Sequence, residues 1–168
     1  MTIILEMKNL EEQNNQLFID AWSANEELSC IVPKKEVSLN INPEYRYMEN
    51  IIDSEKLHRF TKDSMADLIS YCIGCLMGRY SLNKPGLILA DCRESQEEHL
   101  IAYEKVTRKS INNISFKPDS DAIIPVLDKE WFEDDIVSRF REFIMLIFSQ
   151  SSIFENISFI ENSIGKDI

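Results

Sequence analysis

Four glycines in 168 residues, none of them arranged as Gly-x-Gly, leave the chain without a loop that could cradle a phosphate or a dinucleotide. Two histidines and four cysteines are few for a zinc set. Only Cys72 and Cys75 form a Cys-x-x-Cys pair, while Cys30, Cys92, His58 and His99 are scattered. Five prolines together with the scarce glycines exclude long flexible linkers. The longest apolar run, around residues 68–78, is too short to cross a bilayer. The N-terminal Met-Thr-Ile-Ile-Leu-Glu-Met-Lys has neither the basic start nor the unbroken apolar stretch of a signal peptide. These features predict a cytoplasmic chain with no membrane partner, whose thiols stay reduced. Positive charge is also short: 18 Lys and Arg stand against 29 Asp and Glu, a formal net charge of −11. Such a chain repels phosphate backbones at long range, so nucleic-acid binding by the chain alone should be weak.

What is present predicts a helical domain. Hydrophobic residues make up 44% of the sequence, enough to bury a core, and the length suits one domain. Leu10, Leu17, Phe18, Ala21 and Trp22 share one face at helical spacing, which predicts an amphipathic helix over residues 8–24 with that face inward. Val37, Leu39 and Ile41 alternate with polar residues and predict a short strand or extended arm ending at Asn42-Pro43. Residues 49–60 suit a short helix. Thr61 is placed to cap a second one, carrying Met65, Leu68, Ile69, Cys72, Cys75, Leu76 and Tyr80 as its apolar stripe and stopping at Asn83, Pro85 and Gly86. Ser70, Gly74 and Gly78 lie four apart on another line, where small residues let a neighbouring backbone approach.

Leu87–Ala90 reads as a short buried strand and residues 95–106 as a helix. Residues 122–127 read as extended, with Pro125 keeping them out of a sheet centre. Asp128 is placed to cap a turn. A helix over 133–148 would turn Ile136, Phe140, Phe143, Ile144 and Ile147 inward behind an anchor made by Trp131 and Phe132. Ser152 and Glu155 have the spacing of a capping box for a last helix, which Gly165 ends. The fold class expected is therefore mainly α, with a few short β segments, as one helix-rich domain over residues 1–168.

Little in the residues themselves specifies chemistry. The Cys72/Cys75 pair falls mid-helix inside an apolar stripe, where core packing is the better reading than redox or metal work. Asn42-Pro43-Glu44-Tyr45 is similar to the Asn/Asp-Pro-Pro-Tyr tetrad of amino-group DNA methyltransferases, in which carbonyl groups accept from the target amine and the Tyr stacks on the flipped base. Glu44 replaces the second proline, and no glycine-rich turn for S-adenosylmethionine accompanies it. A proline-bounded turn with Tyr45 and Tyr47 inward is the plainer reading. Arg79 could grip a phosphate or cap its own helix end. There is no nucleophile elbow.

Four ordered blocks resemble one family. Ile69-Ser70-Tyr71, Gly74-Cys75, Gly78-Arg79-Tyr80-Ser81-Leu82 and Pro85-Gly86-Leu87 are similar to a block of the PglX family, the adenine-specific DNA methyltransferases of BREX phage-defence systems, and related blocks occur in fused restriction–modification enzymes. Leu17–Ala21 with Glu27-Leu28 resembles the helix upstream of it. Asn42-Pro43 with Tyr45-Arg46-Tyr47 resembles the intervening arm. Ile123–Val126, Trp131–Asp135 and Arg139–Phe143 resemble the part downstream. The likeness runs over residues 12–168.

The resemblance implies a region that follows the catalytic methyltransferase domain and precedes target recognition. It implies a fragment (an excised domain, a split gene or a remnant) with no catalytic and no cofactor-binding residue of its own. S-adenosylmethionine would then belong to the parent enzyme, and the partners would be the catalytic and target-recognition parts, with DNA reached through them. Arg79, Lys84, Arg108 and Lys109 are the candidate phosphate contacts; no residue is expected to hold a metal. Two other classes stay open: an autonomous acidic interaction module, and a Cys-pair metal or redox protein.

Overall fold

A computed structural model describes residues 2–47, 51–90, 96–127, 132 and 134–165. The fold class is mainly α. In chain order the helices are α1 (Thr2–Ala21), α2 (Pro43–Arg46), α3 (Asp53–Leu76), α4 (Gln96–Thr107), α5 (Ile136–Ile147) and α6 (Ile153–Ile164). Short 3-10 turns occupy Lys34–Glu36, Ile111–Asn113 and Gln150–Ser152. The expected short strands do not form: among the described residues the only β pairing is an isolated bridge between Ser81 and Lys84. The chain divides into two compact units, Met1–Thr61 and Lys62–Ile168.

In the first unit α1 starts well before residue 8 and stops at Ala21, because Ser23 turns left-handed at φ 54°. The amides of Ser23 and Ala24 then bond back to Asp20 O and Ile19 O, which satisfies the last carbonyls of the helix. Its inward face is not the expected one. Leu10, Leu17, Phe18 and Trp22 are 56%, 70%, 55% and 74% exposed. The chain's own loop covers the polar side instead. The Glu12 carboxylate accepts from Val32 N at 3.1 Å, Glu11 accepts from Ser38 N at 3.2 Å, and the Asn15 amide donates to Cys30 O at 3.4 Å.

Residues 37–41 make local turn bonds, Val37 N to Lys34 O and Asn42 N to Leu39 O, and these preclude a strand. The fully buried Asn42 fixes that turn. Its amide donates to Lys34 O (2.7 Å) and Val37 O (3.1 Å), and its Oδ1 caps α2 by accepting from Glu44 N (3.2 Å).

α3 runs unbroken through Thr61, whose hydroxyl donates to Leu57 O at 2.9 Å instead of capping a new helix. It ends at Leu76, earlier than Pro85 suggests. Gly78 takes φ 71°, Gly78 N bonds Cys75 O (3.1 Å) and Arg79 N bonds Gly74 O (2.8 Å), the paired bonds of a Schellman end.

The second unit holds two cores. Cys72, Cys75, Leu76, Phe116, Phe140, Phe143, Ile144 and Ile160 form the larger. Tyr103, Ile88, Leu89 and Ile114 form the smaller. Leu87–Ala90 thus supplies buried side chains without a ladder. α5 presents the expected residues: Phe140, Phe143 and Ile144 are buried, with Ile136 and Ile147 partly so. Its cap is Asp135, which accepts from Val137 N at 2.7 Å. Asp128 and Trp131 lie outside the described residues, and Phe132 is exposed. Ser152 precedes α6 but makes no side-chain cap; its hydroxyl donates to Ser149 O, and Ser149 caps the 3-10 turn before it. Gly165 ends α6 in the left-handed conformation, as its position predicts.

Candidate functional site

The residues with chemical potential gather on the turn after α3 and the end of α4. The turn is pinned on three sides. Ile88 N donates to Arg79 O (2.8 Å), and the Tyr103 hydroxyl donates to Tyr80 O (3.4 Å). Asn83 clamps Ser115, donating to its hydroxyl at 3.0 Å and accepting from its amide at 2.8 Å. Such pinning fixes the course of the backbone through this turn.

Lys84 and Arg108 meet here. They line one groove of about 590 Å³, floored by Ile88, Leu89 and Val106, and Lys105 joins them. Lys105 is a residue that sequence reasoning missed: it lies in α4 while Arg108 follows the helix end, so helical spacing does not pair the two. Lys84 is not a bare charge: its ammonium donates to Val106 O in the last turn of α4 at 2.7 Å, where a cation also suits the helix dipole. Arg108 is exposed and left-handed at φ 58°, directly after α4. Arg79 and Lys109 are not part of this array. Arg79 lines a separate groove of about 480 Å³ with Tyr71, Tyr80 and Met77, and it is its backbone amide, not its guanidinium, that caps α3. Lys109 is exposed beyond the helix end. A cationic groove with an apolar floor can take a phosphate together with a flat or apolar group beside it.

Gly74 in α3 and Gly78 just past its end make room for side chains rather than for a backbone. A Cβ on Gly74 would lie 2.5 Å from the Tyr80 ring, and one on Gly78 would lie 2.5 Å from His99 Nε2. Tyr80 stacks on Tyr71 at 5.3 Å.

Cys72 and Cys75 are core residues, 0% and 1% exposed. Burial pushes the Cys72 thiol from its ordinary 9.0 up to about 12, with the neighbouring Cys75 adding to it, and burial pushes Cys75 up to about 11. Burial likewise raises the Tyr71 hydroxyl to about 12. Thiols held neutral this way are poor nucleophiles and poor metal ligands. Iodoacetamide at pH 8 should therefore modify the partly exposed Cys30 and leave Cys72 and Cys75 untouched until denaturant is added, as read by peptide mass mapping. Reaction of either core thiol in the folded chain would contradict the packing. The folded thiols keep their protons to higher pH than the unfolded ones, so this contribution is intact below about pH 9 and fades as pH rises toward 11–12.

Among the described residues no three of His, Cys, Asp and Glu come together to hold a metal ion, and no helix is long and apolar enough to cross a membrane. Asn42 spends its amide on the turn and the α2 cap, so its tetrad-like surroundings are structural.

No protein-family model matches the chain. It is 36% identical over 128 residues to the adenine-specific methyltransferase BrxX of Escherichia coli O9:H4 (strain HS), covering 76% of this chain and 10% of that protein. It is 30% identical over 163 residues to the adenine-specific methyltransferase PglX of Lacticaseibacillus casei (strain Zhang), covering 96% of this chain and 11% of that protein. The chain is a PglX/BrxX-like segment. This PglX/BrxX-like segment spans about a tenth of the length of the curated relatives it matches.

Proposed function

We propose that the chain is a helical connector of a site-specific, S-adenosylmethionine-dependent adenine-N6 DNA methyltransferase of the PglX/BrxX type. It joins the catalytic and target-recognition parts and has no catalytic or cofactor-binding residue of its own. The observation that carries this reading is the likeness, over most of its length, to a tenth of two adenine-specific methyltransferases. The groove of Lys84, Lys105 and Arg108 supplies the phosphate contact, and Arg79 and Lys109 are further contacts at separate points. With a net charge of −11 on the segment, the rest of the parent enzyme must bring most of the positive field.

The test is a chimera. This chain replaces the matching segment of the Lacticaseibacillus casei PglX, and adenine methylation of DNA is measured. Methylation should persist. In the chimera, Lys105→Gln and Arg108→Gly should each weaken DNA binding and lower the slope of log affinity against log salt by about 1 for each phosphate no longer neutralised. Arg108→Gly suits this purpose because glycine relieves the left-handed backbone there, so weaker binding cannot be blamed on unfolding. A folded chimera without methylation would sink the connector reading, and an unchanged salt slope would sink the phosphate contacts. The second reading, an autonomous acidic interaction module, is favoured by the exposed apolar face of α1.

A further inference from the structure

We infer that the groove of Arg79, Tyr71 and Tyr80 binds an unpaired nucleotide of single-stranded DNA, with its phosphate on the guanidinium and its base against the tyrosine pair. The inference deepens the phosphate contact assigned to Arg79, and it rests on the connector reading for bringing DNA to the chain.

An aromatic row leads from the core to this groove. Phe116 lies edge-on to Phe143 at 5.3 Å, Phe143 edge-on to Tyr71 at 6.1 Å, and Tyr71 stacks on Tyr80 at 5.3 Å with the ring planes 28° apart. The two phenylalanines are buried, whereas both tyrosines are half-buried and line the groove. The outer pair is held in place. The Tyr71 hydroxyl donates to Ser81 O at 3.4 Å, and the edge of the Tyr80 ring fills the space that a Cβ on Gly74 would need. Ile73 of α3 and Met77 just past its end complete the apolar wall.

Arg79 is the one charged residue lining the groove. Its side chain is exposed and, among the described residues, makes no hydrogen bond or ion pair. In a chain with 29 Asp and Glu, an unengaged guanidinium beside a ring pair calls for an anion from outside that carries a flat group next to its charge. The planar fork of a guanidinium matches phosphate oxygens, and a nucleotide joins phosphate to ring. A duplex keeps its ring faces stacked inside and shows only base edges and phosphates, so it engages the guanidinium but not the tyrosines. An unstacked base engages both.

Titration of the full 168-residue chain, followed by the amide NMR shifts of Gly74, Met77 and Arg79, reads even the weak binding that a net charge of −11 leaves. The probes are an oligothymidine strand, the same strand paired with its complement, an abasic strand of equal length, and thymidine monophosphate. The single strand should bind roughly tenfold tighter than the duplex or the abasic strand. Arg79→Gln should weaken strand and duplex alike, whereas Tyr80→Leu should weaken the strand and leave the duplex unchanged. Because Tyr80 also packs on the core, Ile73→Glu is the second variant: Ile73 is 37% exposed, and a carboxylate there obstructs the groove while the far-ultraviolet circular dichroism stays as it is. Equal binding of duplex and strand, equal binding of the abasic strand, no shift at the groove with any strand, or an affinity unmoved by Ile73→Glu would each overturn the inference. Thymidine monophosphate binding more tightly than the strand would make the ligand a free nucleotide and overturn it too. None of these outcomes touches the connector reading, which stands or falls on methylation by the chimera.

Discussion

Phe143→Ala should lower the stability of the chain by roughly 3–5 kcal/mol, the range found when a fully buried phenylalanine is truncated. The ring is 0% exposed and sits where α5 meets α3 and the segment after α4. Phe116, from the segment after α4, lies edge-on to it at 5.3 Å, Tyr71 of α3 edge-on at 6.1 Å, and Phe140 of α5 stacked at 6.4 Å. Aromatic pairs of this geometry add about 0.5–1.5 kcal/mol beyond the area they bury. Truncation therefore removes burial, opens a cavity and unpairs three rings together. Phe154→Ala is the matched control: Phe154 is 88% exposed on α6, and its loss should stay within about 0.5 kcal/mol. Urea unfolding followed by circular dichroism gives both values. Comparable midpoints for the two variants would mean that Phe143 is not at the centre of the core.

That core was legible in the sequence because a helix repeats its apolar residues at a period that survives any context. Ile136, Phe140, Phe143, Ile144 and Ile147 announce α5, and Gly165 announces the end of α6. Direction is another matter. Periodicity in α1 reports that a stripe exists, but not which side the rest of the chain covers. The contacts that decide it, Glu12 with Val32 and Glu11 with Ser38, join residues 20 and 27 positions apart, beyond any local pattern. Thr61 misled for a related reason: a threonine can cap a helix or return its hydroxyl to the carbonyl four residues back, and both states share one local sequence. The short β segments failed because a strand needs a partner. Leu87–Ala90 finds side chains of α4 instead of a ladder.

The candidate site was half legible. Lys105 and Arg108 were visible as neighbouring cations, but Arg108 lies past the end of α4 in a left-handed turn, so their meeting in one groove is set by that turn and not by helical spacing. That Lys84 bonds the Val106 carbonyl, and so closes the same groove, depends on a contact 22 residues away. Arg79 stands apart for a reason equally hidden from composition. The chain turns left-handed at Gly78, one residue before it; this ends α3, and Arg79 lines a different groove.

That turn needs a glycine, and Gly78→Ala should cost roughly 2–5 kcal/mol. Two effects combine there. A left-handed residue with a Cβ is strained by about 1–2 kcal/mol. The new methyl would also lie 2.5 Å from Nε2 and 3.0 Å from Cε1 of His99, whose ring is buried and not free to swing away. Gly165 separates the two. It has the same φ of 71° and nothing within 4 Å of a built Cβ, so Gly165→Ala carries the backbone strain alone. The excess of Gly78→Ala over Gly165→Ala, measured by chemical denaturation, is then the steric part. It should fall close to zero in a His99→Ala background, because the coupling between two touching positions vanishes when one is removed. Equal costs at the two glycines would show that the imidazole yields freely. A cost at Gly78 that survives removal of the His99 ring would place the obstruction elsewhere in the turn.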